Sequence, residues 1–172
     1  MGLPFIYEKE ICQMLKETIK YTDYDGNEQT EDFYFNISRA QFIEMEVNEV
    51  GGVVGMLRRV GSARDPKVIM KFMKDFIRKS YGIKSDDGKK FVKNDSISDD
   101  FENTEAYSEL YCRLCTDAKY AIHFIIKVLP LDEKERGDLL NRLDKIDIDN
   151  LPDDVTEEEI AAKIQEIPSE TK

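Results

Sequence analysis

The chain has 172 residues, with 25 lysines and arginines against 36 aspartates and glutamates and a formal net charge of −11. With 41% hydrophobic and 10% aromatic residues it can build a core, which excludes wholesale disorder. The acidic balance argues against a nucleic-acid binder that neutralises phosphates. No apolar run reaches about 18 residues, and three cysteines make no disulfide framework, which suits a reducing compartment.

The charge is uneven. Residues 131–172 hold 14 acids and 6 bases, a net of −8, whereas residues 1–130 hold 22 and 19, a net of −3. The division expected is therefore an N-terminal extension (1–13), a nearly balanced domain (14–130) and an acidic C-terminal tail (131–172).

In chain order, residues 15–22 and 30–36 alternate polar and β-prone side chains around Asp25-Gly26-Asn27, the signature of a β-hairpin. Ser38 with Gln41 three residues on predicts a capping box and a helix over 39–49, ended by Gly51-Gly52. A short helix is expected at 53–60. Asp65-Pro66 opens a helix to residue 81, because aspartate caps and proline suits the first helical position. Gly82 reads as its stop. Ile69, Phe72, Met73, Phe76 and Ile77 form its apolar stripe. Lys67, Lys71, Lys74 and Arg78, at spacing 0, 4, 7, 11, share its polar face. This stripe is either a solvated face or a dock for an acidic segment, including the chain's own tail.

Residues 83–92 carry a second Asp-Gly between apolar positions, a small hairpin or tight turn. A linker containing Asp95 and Ser98 is expected next, then a helix near 103–115. Thr116-Asp117 breaks it and caps a last helix over 118–129. That helix is apolar nearly all round, so it is either the central core helix or an oligomer contact. Pro130 stops it. Beyond it, residues 131–146 and 153–167 carry weak helical stripes, read as short helices or as an arm that folds on a partner. The fold class expected is α+β, mostly α: an N-terminal β-hairpin, a bundle of about four to five helices, and a helical or flexible acidic tail.

Tests for chemistry fail. Cys112-x-x-Cys115 lacks the other two ligands of a structural zinc. It also lies late in a helix, away from the helix start that activates redox thiols. Buried apolar thiols are the expectation. His123, the sole histidine, sits in an apolar helix and reads as a core or interface residue. The acidic loops miss the EF-hand pattern: from Asp23 glycine falls at position 4 and position 12 is Tyr34, and from Asp147 position 6 is Pro152. Gly51-Gly52-x-x-Gly55 lacks the lysine of a phosphate loop. No enzyme, cofactor or metal is expected.

Several segments together resemble the tail assembly chaperones of siphovirus-type, long-tailed phages and prophages. They are the aromatic hairpin from Tyr21 to Ser38, Ser80-Tyr81-Gly82, Ser85-Asp86-Asp87-Gly88-Lys89-Lys90-Phe91, Thr104 to Leu110, Thr116-Asp117-Ala118 and the terminal Pro130. The resemblance covers about Met14 to Pro130, and Met14 looks like the family's own start. It implies a non-enzymatic protein in the cytoplasm of the bacterial host. Such a protein binds the tape measure protein, keeps it soluble and helps recruit tail tube subunits. A frameshifted longer form of itself and further copies of the chain join the expected partners. Contact residues expected for a client are Lys67, Lys71, Lys74 and Arg78 on the basic helix, Tyr107 and Tyr111 on the next, and Ile122 and Ile126 on the apolar helix. The competing readings are a permanent structural or adaptor component of the particle and a small regulator that binds nucleic acid through the basic stripe.

Overall fold

The computed structural model describes residues 14–49, 52, 56 and 65–145, without the side chains of 142–144. Strands β1 (Leu15–Thr22) and β2 (Glu28–Phe35) form an antiparallel hairpin, with Leu15 opposite Phe35 and Thr22 opposite Glu28. Its turn is organised by one carboxylate. Asp23 accepts from the backbone N–H of Asp25 (3.0 Å) and of Asn27 (2.9 Å) and from the Gln29 side chain (2.8 Å). Those bonds, Gln29 foremost, hold its pKa below the usual range. Gly26 takes the positive φ of 85° that the turn needs.

Leaving β2, the Asn36 N–H donates to Ser80 O (2.8 Å) and the Ile37 N–H to Val128 O (3.3 Å). Helix α1 (Arg39–Asn48) then starts on the expected capping box. The Gln41 N–H donates to Ser38 Oγ (3.2 Å), and the Ser38 N–H donates back to Gln41 Oε1 (3.0 Å). Gly52 and Met56 are both helical and buried. The rest of the helix expected at 53–60, Gly51 and the tail stripe at 153–167 lie outside the described residues.

Helix α2 (Pro66–Ser80) is capped by Asp65 as expected. Its end differs. Gly82 is not a left-handed stop: the chain passes straight from Ser80 into β3 (Tyr81–Lys84), where Gly82 pairs with Tyr34 and Tyr81 with Phe35. A Cβ on Gly82 would lie 2.6 Å from Phe91 Cε1 and 2.8 Å from Val92 O, so this glycine is required by close packing. Strand β4 (Phe91–Val92) pairs with β3, and the second hairpin joins the first in one antiparallel sheet of order β1-β2-β3-β4.

The segment expected to be a linker is a helix, α3 (Asp95–Glu102), capped by Asn94 and anchored by buried Ser98 and Phe101. Helix α4 (Glu105–Thr116) follows on a Thr104 cap and packs across β1. Asp117 closes α4 and caps α5 (Ala118–Val128). Helix α5 is the central core helix: Ala121, Ile122, Phe124, Ile125, Ile126 and Val128 are all buried. A sixth described helix, α6 (Glu133–Asp144), falls within the stripe expected at 131–146. It lies against α5, with Leu131, Leu139 and Leu140 packed on the core and the Arg136 guanidinium donating to Leu129 O and Leu131 O (both 3.1 Å). The protein is thus mostly helical α+β, with its antiparallel strands leading.

An aromatic cluster joins sheet to helices. Phe101 stacks on Tyr81 (4.1 Å between centroids) and meets Phe33 (5.0 Å) and Tyr107 (5.6 Å). Phe35 meets Phe124 (5.1 Å) edge-on, and Phe124 meets Phe76 (6.2 Å). Offset and edge-on pairs add roughly 0.5–1.5 kcal/mol each beyond area burial.

Half-buried Lys93 ties three elements together. Its Nζ donates to Asn36 O (2.7 Å), Gln41 Oε1 (2.5 Å) and Lys79 O (3.1 Å). These acceptors favour the ammonium and burial opposes it; burial wins, holding the pKa at about 8. Below about 8 the lysine is charged in both states and the folded one bears the full cost. Between about 8 and the ordinary lysine value the unfolded chain holds the extra proton, so this group's contribution to stability rises with pH. Cys115, raised by burial, pulls the other way above the usual thiol value. Above about 10, so do Tyr21 and Tyr120, whose pKa values are raised to about 12. Thermal melts of wild type and Lys93→Met isolate the lysine. Between pH 8 and 10 (about the window of the shift) wild-type Tm gains relative to the variant. Parallel curves would refute the assignment.

Candidate interaction surface

Six of the eight expected contact residues belong to α2 and α4. The Tyr111 hydroxyl donates to Met70 O (3.3 Å), and Tyr107 stacks on Tyr111 (5.5 Å). Tyr107 lies within the field of Glu102 and Arg78; burial first, then Glu102, raises its pKa. Lys74, Arg78, Tyr107 and Tyr111 therefore gather along the α2–α4 seam. Ile122 and Ile126 do not join them. At 3% and 0% exposure they are core, so in this fold α5 presents neither to a partner.

The basic stripe is divided. Arg78 donates to Glu102 (2.5 Å) and Asp99 (2.9 Å) and lies 3.5 Å from Asp95; Lys74 lies 3.8 Å from Glu102. Glu102, then Asp99, raises the Arg78 pKa further. An acidic segment does dock on the stripe, and it is α3, unrecognised in the sequence as a helix. Its acids at 95, 99 and 102 repeat the 0, 4, 7 spacing of the lysines. Among the described residues Lys67 and Lys71 make no ion pair, and they stand exposed. Val68 (51% exposed) and Met70 (44%) flank them, making a mixed basic and apolar ledge on the first turns of α2.

Arg78→Ala is expected to lower stability by about 1–2 kcal/mol, because Arg78 and Glu102 are only partly exposed. Urea unfolding at low salt and at about 1 M NaCl checks it: screening shrinks the difference between the two proteins. A salt-independent difference would assign the loss to packing of the stem instead.

The cysteines depart from expectation. Cys112 is exposed and Cys115 half-buried, because α4 turns Ala106, Leu110 and Leu114 inward and leaves Cys112 outside. Burial pushes the Cys115 thiol up, the opposite of an activated nucleophile. Among the described residues no group of three or more histidine, cysteine or acidic side chains is placed to hold a metal. No helix there is long and apolar enough to cross a membrane. Between α1 and the end of α2, an open depression is lined by Ile37, Gln41, Glu44, Met45, Asn48, Glu49 and Lys79.

The described part is thus a small sheet roofed by helices, with a mixed basic and apolar ledge on the first turns of α2. The chain belongs to the phage tail assembly chaperone family, whose model matches residues 14–170. The match begins at the Met14 read from the sequence and continues past Pro130 through most of the acidic tail. Family membership makes it a non-enzymatic chaperone with tail proteins as its partners. No curated protein and no solved structure matches it.

Proposed function

We propose that this chaperone binds the tape measure protein of a siphovirus-type phage or prophage, keeps it soluble and helps bring tail tube subunits to it. The observation that supports this reading most is the ledge on α2 within a chain of this family. A helical client can set its acids on Lys67 and Lys71 and an apolar side chain against Val68 or Met70 on either side of them. The high net charge suits a solubilising role. Several copies spread along one long client favour self-association, and a frameshifted longer form would share this surface. Work on a growing tail places the protein in the cytoplasm of the bacterial host.

Co-expression with the tape measure protein tests this. The expected result is a soluble complex retained on a tagged chaperone, weakened by Lys67→Glu/Lys71→Glu. A tape measure protein equally soluble alone and not retained would reject the proposal. Presence of the chain in purified virions would favour the structural adaptor.

A further inference from the structure

We propose that the acidic segment 146–172 of the same chain docks on the Lys67–Lys71 ledge and holds it until a client displaces it. Three observations carry this. First, α2 offers two exposed lysines that make no ion pair among the described residues, flanked by exposed Val68 and Met70, while the other half of its stripe is already filled. Second, α3 shows that this stripe accepts an acidic helix face: Asp95 and Asp99, four residues apart, both meet Arg78. Third, residues 146–172 hold nine acids and two bases, a net of −7. They repeat that spacing at Asp153 and Glu157 and again at Asp154 and Glu158, with Ile160 following for the apolar flank.

Reach is of the right order. The eight to thirteen residues from Lys145 to Asp153 and Glu158 span up to roughly 26–43 Å, comparable with the width expected of such a domain, on the order of 35–40 Å. Tethering gives the segment a local concentration of order millimolar. The ion pairs together with Ile160 on the apolar flank then hold the segment at low salt, and a client with more apolar contact displaces it. That last step rests on the proposed function; the docking itself does not.

The test uses the full chain without a client. Amide NMR shifts of residues 66–72 are compared between wild type and a variant with Asp153→Asn, Asp154→Asn, Glu157→Gln and Glu158→Gln. The wild type should differ from the variant at low salt and converge on it as salt rises to about 0.5 M. Coincident spectra at low salt would overturn the docking. Carbodiimide coupling in an equal mixture of light and heavy chains separates the occupants. Links from Lys67 or Lys71 to 153–159 within one chain support the proposal, and links only between chains overturn it in favour of a second copy. With docking established, the neutralised tail should bind the tape measure protein about two- to fivefold tighter, as expected when a tethered competitor is removed. Unchanged affinity would overturn the displacement step alone, and absence of any binding would instead refute the proposed function.

Discussion

Phe124→Ala is expected to lower the unfolding free energy by about 4 kcal/mol, with a fall in Tm on the order of 15 °C for a domain of this size. Phe124 is 1% exposed and is the ring that joins the two halves of the core. It meets Phe35 of β2 edge-on on one side and Phe76 of α2 on the other. Truncation loses the transfer free energy of the ring, leaves a cavity between sheet and helices, and removes two aromatic pairs. Natural domains hold only about 5–15 kcal/mol in total, so the variant sits close to its unfolding threshold. Ile122→Ala, two residues earlier on the same helix, should cost about 2–4 kcal/mol for the same reason. Val47→Ala on α1, where Val47 is 78% exposed, should stay within about 0.5 kcal/mol. Calorimetry of the three variants checks the ordering. A Phe124→Ala loss below about 1.5 kcal/mol would mean that α5 is not the centre of the core.

The same comparison bears on where a client can bind. Ile122 and Ile126 read as contact residues because α5 is apolar nearly all round, and that pattern fits a core helix and an interface helix equally well. Periodicity cannot separate the two; only the neighbours can. Here Phe35, Phe76 and the sheet take up the apolar surface of α5. A substitution at Ile122 is therefore expected to weaken client binding only through loss of folded protein, whereas Lys67→Glu/Lys71→Glu should weaken it with Tm unchanged.

What was legible in the sequence was local. Ser38 with Gln41, Asp65 with Pro66, and Asp117 each announce a helix start, because a cap is satisfied by backbone groups two or three residues away. The two Asp-Gly turns announce their hairpins in the same way. The elements that escaped depend on distant partners. Helix α3 has eight residues, four of them acidic, and only Ile97 and Phe101 to mark a face. Its stability comes from Phe101 entering the aromatic cluster and from Asp95, Asp99 and Glu102 meeting Arg78, none of which is local. The joining of the two hairpins through Tyr34 and Gly82 has no local signal either. The basic stripe was visible as a pattern, but its division into a filled and an open half required the position of α3.

Gly82 shows how far such a long-range demand can override a local reading. After a basic last turn, a glycine looks like a helix stop, yet here the pairing of β3 between β2 and β4 needs a residue with no side chain. Gly82→Ala should cost about 3 kcal/mol, at the upper end for overpacking, because one of the three nearest atoms is the backbone oxygen of Val92, at 2.8 Å. The Phe91 ring and the Lys93 stem can turn aside; that carbonyl moves only if β4 leaves β3. The loss should therefore be local as well as global. Hydrogen exchange at Ile83, Lys84, Phe91 and Val92 is expected to rise by more than the change in global stability requires, and Lys93 should lose its grip on Asn36, Gln41 and Lys79. In Gly82→Ala the Lys93 pKa should then climb back from about 8 towards the ordinary lysine value, flattening the rise in Tm between about pH 8 and 10. If Gly82→Ala folds with unchanged exchange in β3 and β4, the close approach is not a constraint and the glycine is there for another reason.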